Sequence, residues 1–424
     1  TADPGPAVSG VGYFTDTSGS AFNITLPSSP SAGAVVAVAD YANNWNSNAI
    51  TLLRNGSNIE GAAENFVCNT QGAAITFVYV DATKGWIAVN SGNSSLANAT
   101  RYVVATGGTI ITCGDWKIHT FTGPGNFEVT CAGNACGSNK VDYLVVAGGA
   151  GGGNGKAGGG GAGGFRESVP NPASWTASPL ANPGGALPVS VQTYPITVGG
   201  GGAGTPAPTT PGSAPKSTGG SNSSFSTITS AGGGAAGSVD PSNKNGNPGG
   251  SGGGASQYGG AGTGGTGNSP PVSPPQGSNG GNGYEPGAGG GGGGATSAGG
   301  NATPSGPQAI AGDGGNGAGT AIHPNSPSPV GTPGPSGPLR YFSGGGGAGM
   351  ASCSPAPDPT GLGSGGYGGG GCGQNTDLPR PSCATGDANT GGGGGGSSGP
   401  SSGPHSIAGG AGGSGIVIIR YKFQ

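Results

Sequence analysis

Short apolar runs separated by turn residues organise the first 110 positions. AFNITLP, AVVAVADYA, NAITLLRNG and AAITFVYVDATKGWIAV are rich in β-branched residues and are bounded by pairs such as Asn55-Gly56 and Lys84-Gly85. That is the pattern of strands joined by tight turns. In the longest run Ile75, Phe77 and Tyr79 alternate with Thr76, Val78 and Val80, which predicts a strand with one buried face. No helical periodicity competes, so residues 1–110 read as an antiparallel β module.

Residues 111–147 carry a second β unit. DWKIHTFTGPGNFEVTC predicts a hairpin turning at Gly123-Pro124-Gly125-Asn126, and the strand DYLVVA follows. Glycine then dominates residues 148–414 until the chain closes with SGIVIIRYKFQ, over 415–424. This last strand is apolar on both faces, as a central strand is. Strands at both borders predict that residues 144–147 and 416–421 pair in one small sheet that clamps everything between them.

Composition changes the picture at this point. The chain has 424 residues, with 105 Gly and 37 Pro, yet only 31% hydrophobic and 7% charged residues. That is too little apolar surface for an ordinary core. A glycine run makes a poor α-helix, at about 1 kcal/mol per residue against alanine, and a poor sheet, having no side chains to pack. It can form the extended polyproline II type of helix, with three residues per turn and every backbone group pointing outward. Without Cβ atoms, neighbouring helices approach and bond one another laterally. Blocks such as GGAGGGNGKAGGGGAGG alternate with connectors such as TPAPTTPGSAPKST and TAIHPNSPSPVGTPGPSGPLRYF, an array rather than a linker. Ala and Ser inside the blocks would mark outward positions. The expected fold class is therefore all-β plus a non-standard part. An N-terminal antiparallel β module precedes a bundle of polyglycine II helices bracketed by a small β-sheet, with almost no α-helix. A flexible spacer is the bland alternative; collagen is excluded because glycine does not recur at every third position.

Candidate chemistry is sparse. Net charge is −3 with scattered Lys and Arg, which offers no nucleic-acid patch. No apolar run reaches the roughly 20 residues of a membrane span, so neither nucleic acid nor membrane insertion is expected. The many G-x-G-x-x-G matches lack a following helix, and Gly155-Lys156-Ala157 fails the phosphate-loop pattern, so no cofactor is expected. His119, His323 and His405 lie far apart and near no nucleophile motif. No metal site, catalytic residue or enzymatic activity is expected. Of the seven cysteines, Cys131 and Cys136 bracket a short loop that a local disulfide could close, and Cys372 and Cys383 are further disulfide candidates, which would suit an extracellular setting.

The run DWKIHTFTGPGNFEV…VDYLVVAGGAGGG…GGGGAGGFRES…YPITVGGGGAG…SNSSFSTITSAGGG…ANTGGGGGG…AGGSGIVIIRY resembles the glycine-rich domain at the ends of tailed-phage tail fibres and adhesins. The upstream piece through AITFVYVDATKGWIAV resembles a β module of phage fibre proteins. The resemblance implies a virion tail-fibre, extracellular location. It also implies partnership with other fibre subunits, including a homotrimer, and loops that bind a host cell-surface receptor, either a glycan or an outer-membrane protein. Glycine blocks would be scaffold and connectors the binding surface. Aromatic and bulky connector residues are the candidates for receptor contact: Leu339, Tyr341, Phe342, His323, Tyr258, Tyr284 and Tyr367. Each could equally cap the end of a glycine bundle. Trp175, Phe165 and Phe225 read as packing. The rival reading is an extracellular filament or matrix glycoprotein, which the N-x-S/T sites at Asn23, Asn55, Asn93, Asn98, Asn222 and Asn301 would suit. An ice-binding protein is a further alternative, opposed by the irregular connectors.

Overall fold

The computed structural model describes residues 5–91, 101–134, 137–207, 214–257, 259–285, 287–305, 308–325, 328–350, 361–374, 381–397 and 407–424. The chain divides into two compact units, residues 1–101 and 102–424.

The first unit is a β-sandwich. Its strands are β1 (Val11–Thr15), β2 (Phe22–Thr25), β3 (Val35–Asp40), β4 (Ile50–Leu53), β5 (Phe66–Cys68), β6 (Ala74–Asp81) and β7 (Gly85–Ser91). One sheet runs β1-β3-β6-β7 and the other β2-β4-β5. Ile24, Leu52, Phe66, Phe77, Trp45 and Trp86 pack in the core between them. The alternation expected in β6 holds, since Ile75 and Phe77 are buried while Val80 is exposed. The short strands β1 and β5 were not anticipated. Both β1–β3 and β2–β4 pair in parallel, so the unit is mixed rather than purely antiparallel.

In the second unit the strands are β8 (Val103–Thr106), β9 (Thr109–Cys113), β10 (Trp116–Phe121), β11 (Gly125–Ala132), β12 (Lys140–Val146), β13 (Phe165–Val169), β14 (Asn182–Pro183), β15 (Leu187–Pro188), β16 (Gln192–Thr197), β17 (Ser223–Phe225), β18 (Ile228–Ser230), β19 (Thr303–Ser305), β20 (Gln308–Ile310), β21 (Ala318–Thr320), β22 (Arg340–Phe342) and β23 (Ile416–Lys422). Among the described residues helix is confined to the single turns Pro241–Asn243 and Pro381–Ala384. The closing strand β23 sits between β12 and β10, pairing Leu144 with Ile418 and Val146 with Ile416. The two borders of the glycine region are therefore bonded to each other, as expected.

Two expectations are corrected here. Strands β8 and β9, at 103–113, belong to the second unit, so the first ends at Arg101 rather than 110. Nor do β10 and β11 form a hairpin. β10 joins the β14-β13-β12-β23-β10-β9 sheet, whereas β11 joins β18-β17-β16-β11-β8. The chain crosses between the sheets on both sides of the β9–β10 pair, at Gly107-Gly108 and again after β10. A Cβ at Gly107 would overlap the Asn126 carbonyl and one at Gly108 would crowd the Thr120 carbonyl, and both glycines have positive φ, so only glycine fits this corner. The hairpin that does form is β9–β10. Phe127, Tyr143, Tyr194, Phe225, Ile419 and Tyr421 fill the space between the two sheets. His119 bridges this core, its Nδ1 bonded to the Gly107 carbonyl at 2.7 Å and its Nε2 to the Tyr421 hydroxyl at 3.0 Å.

In the glycine segments, first over 147–164 between β12 and β13, the backbone belongs to neither sheet nor α-helix, and its hydrogen bonds reveal the packing. Along 148–153 the amides donate in turn to three different segments, at 2.9–3.0 Å: Gly148 and Gly151 to Ser221 and Thr218, Gly149 and Gly152 to Gly413 and Gly410, Ala150 and Gly153 to Gly161 and Gly158. The donor direction repeats every third residue, which is the rotation of a polyglycine II helix. Each acceptor number falls by three as the donor rises by three, so these neighbours run antiparallel. The carbonyls of the same segment accept from Gly202 and Thr205, from Gly233, and from Gly394 and Ser397. Three neighbours receive bonds and three others give them, the coordination of hexagonal packing. The segments around 159–164 and 289–294 show the same scheme.

Alanine falls on both sides of this bundle, with Ala203 and Ala411 exposed as expected. Ala150, Ala162, Ala235 and Ala348 are fully enclosed. The outer positions are taken by residues such as Asn279, Asn282, Asp313 and Asn316. Their side-chain oxygens reach a neighbour's N–H, which a methyl group cannot do.

Candidate functional site

Because each glycine segment crosses the bundle once, successive connectors alternate between its two ends. The near end is the one from which β12 enters and into which β23 returns. The far end is first reached at the Asn154–Ala157 turn.

At the near end the connectors pack onto the closing sheet. Phe342, Ile322 and Ala318 join Ile118, Leu144, Phe165 and Ile418 in one apolar cluster. Beside it lies a buried polar latch. The Arg420 guanidinium stacks between Trp116 and Trp175, 4.8 and 4.4 Å from the ring centroids, and Nη1 donates to the Ile322 carbonyl at 2.9 Å. The Glu167 carboxylate accepts from the Thr320 hydroxyl at 2.5 Å, the Ser178 amide at 2.9 Å and the Trp175 indole at 3.4 Å. Burial raises the pKa of Glu167. Asp142 accepts from the Ser168 hydroxyl at 2.7 Å, and its pKa is pushed up to about 6 by burial. These bonds tie the connectors near 175–180 and 318–323 to the sheet.

Four of the expected receptor-contact residues therefore sit at the near end, packed toward the closing sheet. Phe342 is 0%, His323 5% and Tyr341 9% exposed; a side chain so enclosed presents no surface to a partner. His323 is bonded to the Pro324 carbonyl at 2.8 Å, and burial lowers its pKa. Leu339, in the same connector, is half-buried. Tyr367 is exposed, but at the near end, where its ring lies 6.3 Å from that of Tyr341. Tyr258 lies outside the described residues.

The far end is built differently. Ala288, Ala302, Ala309, Ala311, Met350 and Leu362 form a small apolar cap, with Tyr284 half-buried against it. Tyr284 is the one expected contact residue that the described structure places here. Around the cap stand charged side chains that the aromatic criterion missed. Lys156 adopts a positive φ of 53° in the first turn. Asp240 caps the Pro241–Asn243 turn by accepting from the Ser242 amide at 2.9 Å and hydroxyl at 2.6 Å, bonds that hold its pKa low. The Lys244 ammonium donates to the Gly259 carbonyl at 3.3 Å. Lys244 Nζ and Glu285 Oε2 both converge on Gly260, lying 3.4 and 3.9 Å from where a Cβ would stand. The signal in the sequence was charge itself, since the glycine segments between these turns carry almost none. The far end also holds the disulfide Cys372–Cys383, with Cα atoms 5.4 Å apart. Cys131 carries a free thiol among the described residues, and Cys136 lies outside them. No group of three or more His, Cys, Asp or Glu converges among the described residues.

The fold and the far-end rim define a class: an all-β protein whose polyglycine II bundle displays connector loops from a rigid base. Residues 120–422 match the glycine-rich domain family, and the chain belongs to that family. No curated protein matches it.

Proposed function

We propose that this protein is an adhesin of a phage tail-fibre tip, which binds a host cell-surface receptor through the far-end rim of the glycine bundle. One observation supports the reading above others. The described far-end turns rise from cross-bonded glycine segments, and the rim gathers Tyr284, Lys156, Lys244 and Glu285 around an apolar cap. Loops fixed in this way bind with little ordering cost. A half-exposed ring beside both signs of charge suits a glycan or a polar protein surface. The first unit would then serve attachment to the shaft.

Binding of the labelled full chain to intact candidate host cells tests the proposal. A variant carrying Lys156→Ala, Lys244→Ala, Tyr284→Ala and Glu285→Ala should lose saturable binding, while Tyr367→Ala at the near end should keep it. Equal binding by both would place the contact elsewhere. Assembly into filaments with no cell binding by the parent chain would favour the structural-filament reading.

A further inference from the structure

A hexagonal lattice of polyglycine helices has an edge problem like that of a β-sheet. Each outermost helix points one row of amides away from the bundle, repeating every three residues, about 9.3 Å apart along the axis. A bare row of this kind is a template for another glycine helix, as an open strand edge is for another strand. Along one side of the bundle, built from the segments near 263–267, 279–282, 297–301, 313–316 and 364–367, the outward amides are occupied. Gly264 and Gly267 donate to the side chains of Asn282 and Asn279, both at 2.9 Å. Asn282 in turn donates to Asn301 Oδ1 at 2.8 Å, and Asn316 to the Ser297 hydroxyl at 2.8 Å. Ser364 and Tyr367 donate to Asp313 and Asn316, at 2.6 and 3.4 Å. Thr263 donates to Asn245 Oδ1 at 3.0 Å.

The capping residues keep the helical period. Asn279 and Asn282, in the sequence NGGN, and Asp313 and Asn316, in DGGN, lie three apart, so both members of a pair point the same way. Each does two things at once. Its oxygen consumes a donor that the next helix would need, and its Cβ and side chain occupy the space into which that helix would pack. Interior amides behave differently, donating to backbone carbonyls of neighbouring segments.

We propose that this ladder of Asn, Asp and Ser side chains terminates the glycine lattice and closes the face to a second copy of the chain. The surface thus has a defined partner that it is built to refuse, the outer glycine helix of another molecule. Removing the ladder uncovers a lateral docking face.

The test compares the full chain with two four-fold variants at positions 279, 282, 313 and 316, one all glycine and one all serine. Serine keeps a capping oxygen, as Ser297 does here. Sedimentation velocity should give single-chain mass for the parent and the serine variant. The glycine variant should show mass rising with concentration to two chains or more. A folded glycine variant that stays single, or a parent chain that itself associates through this face, overturns the proposal. Amide exchange on the parent chain gives a second measurement that needs no variant. The amides of Gly264, Gly267, Asn282 and Ser364 should exchange about tenfold or more below free-chain rates. Exchange at the free-chain rate would mean that the ladder caps nothing, and would equally overturn it. Neither readout depends on cell binding, so the result stands apart from the adhesin reading.

Discussion

Replacing Gly393 with alanine should cost about 3–5 kcal/mol, whereas the same change at Gly200 should cost nothing. A Cβ at Gly393 would overlap the Gly160 carbonyl and crowd the Gly346 amide, while at Gly200 no atom lies within 4 Å. The Gly160 carbonyl already accepts from Gly346 at 2.9 Å, and Gly393 itself donates to Gly344 at 2.9 Å and accepts from Gly371 at 2.8 Å. Relieving the overlap strains these three bonds, each worth about 1 kcal/mol net, and overpacking adds about 1–3 kcal/mol. Loss of glycine's freedom in the unfolded chain returns about 0.4–1 kcal/mol. At Gly200 only that last contribution remains, so Gly200→Ala should be neutral or slightly stabilising. Urea unfolding of the full-length variants measures both. Equal midpoints would refute the idea that lateral packing, rather than local flexibility, dictates glycine here. Ala162, fully buried in the same neighbourhood, makes the contrast sharper, because position and not residue type decides the outcome.

Phe342→Ala should destabilise the second unit by about 3–5 kcal/mol, as for a large buried aromatic, yet leave cell binding intact at temperatures where the variant is folded; thermal unfolding and the cell assay check the two halves. Asp142 has a folded pKa of about 6 against 3.8, so its contribution to stability is fully present below pH 4 and is lost as pH rises through 6. Asp142→Asn should therefore gain up to about 3 kcal/mol at pH 7 and nothing at pH 3, read as the difference between the two denaturation profiles. Burial lowers the pKa of His119 and His323, which acts in the opposite sense: stability present above the ordinary histidine value is lost as pH falls through the folded ones, and the difference measurement cancels it. Removing the Cys372–Cys383 link, which spans a sequence separation of 11, should cost about 3 kcal/mol by loop entropy. Exchange protection should fall at the far end but not in the closing sheet.

The strands of both units were readable where β-branched alternation met a turn pair, as in β6 and β7. They were missed where the run was short, as in β5 with Phe66, Val67 and Cys68, or where glycine interrupted it, as in β1 with Gly12. The false hairpin at Gly123 arose because a turn signal does not say whether the chain returns beside itself or passes to another sheet. That choice is made by tertiary partners, here β16 for one strand and β23 for the other. Pairing of β12 with β23 was foreseeable because both are apolar on both faces and bracket a region with no other strand of that kind.

The receptor-contact candidates were chosen for aromatic and bulky character, which does not say which end of the bundle a connector occupies. Which end a connector occupies depends on the parity of the crossings before it, so passing over one turn reverses the assignments that follow until a second is passed over. Two such turns hide inside glycine-rich stretches. Asn154-Gly155-Lys156 breaks what reads as one long block, and the chain reverses again near Gly249 and Gly250, where Asn247 bonds Ala235 and Gly250 bonds Gly232 in one direction and Gly254 bonds Gly159 in the other. Both sites carry a residue that a glycine helix does not need, a lysine in one and the Asn247-Pro248 pair in the other. The two turns cancel beyond Gly250, so the 318–342 connector falls at the near end, against the closing sheet, where its aromatics pack. The same count puts Lys156, Lys244 and Glu285 at the far end. In this bundle the charged residues Lys156, Lys244 and Glu285 mark far-end turns that aromatic character alone does not pick out.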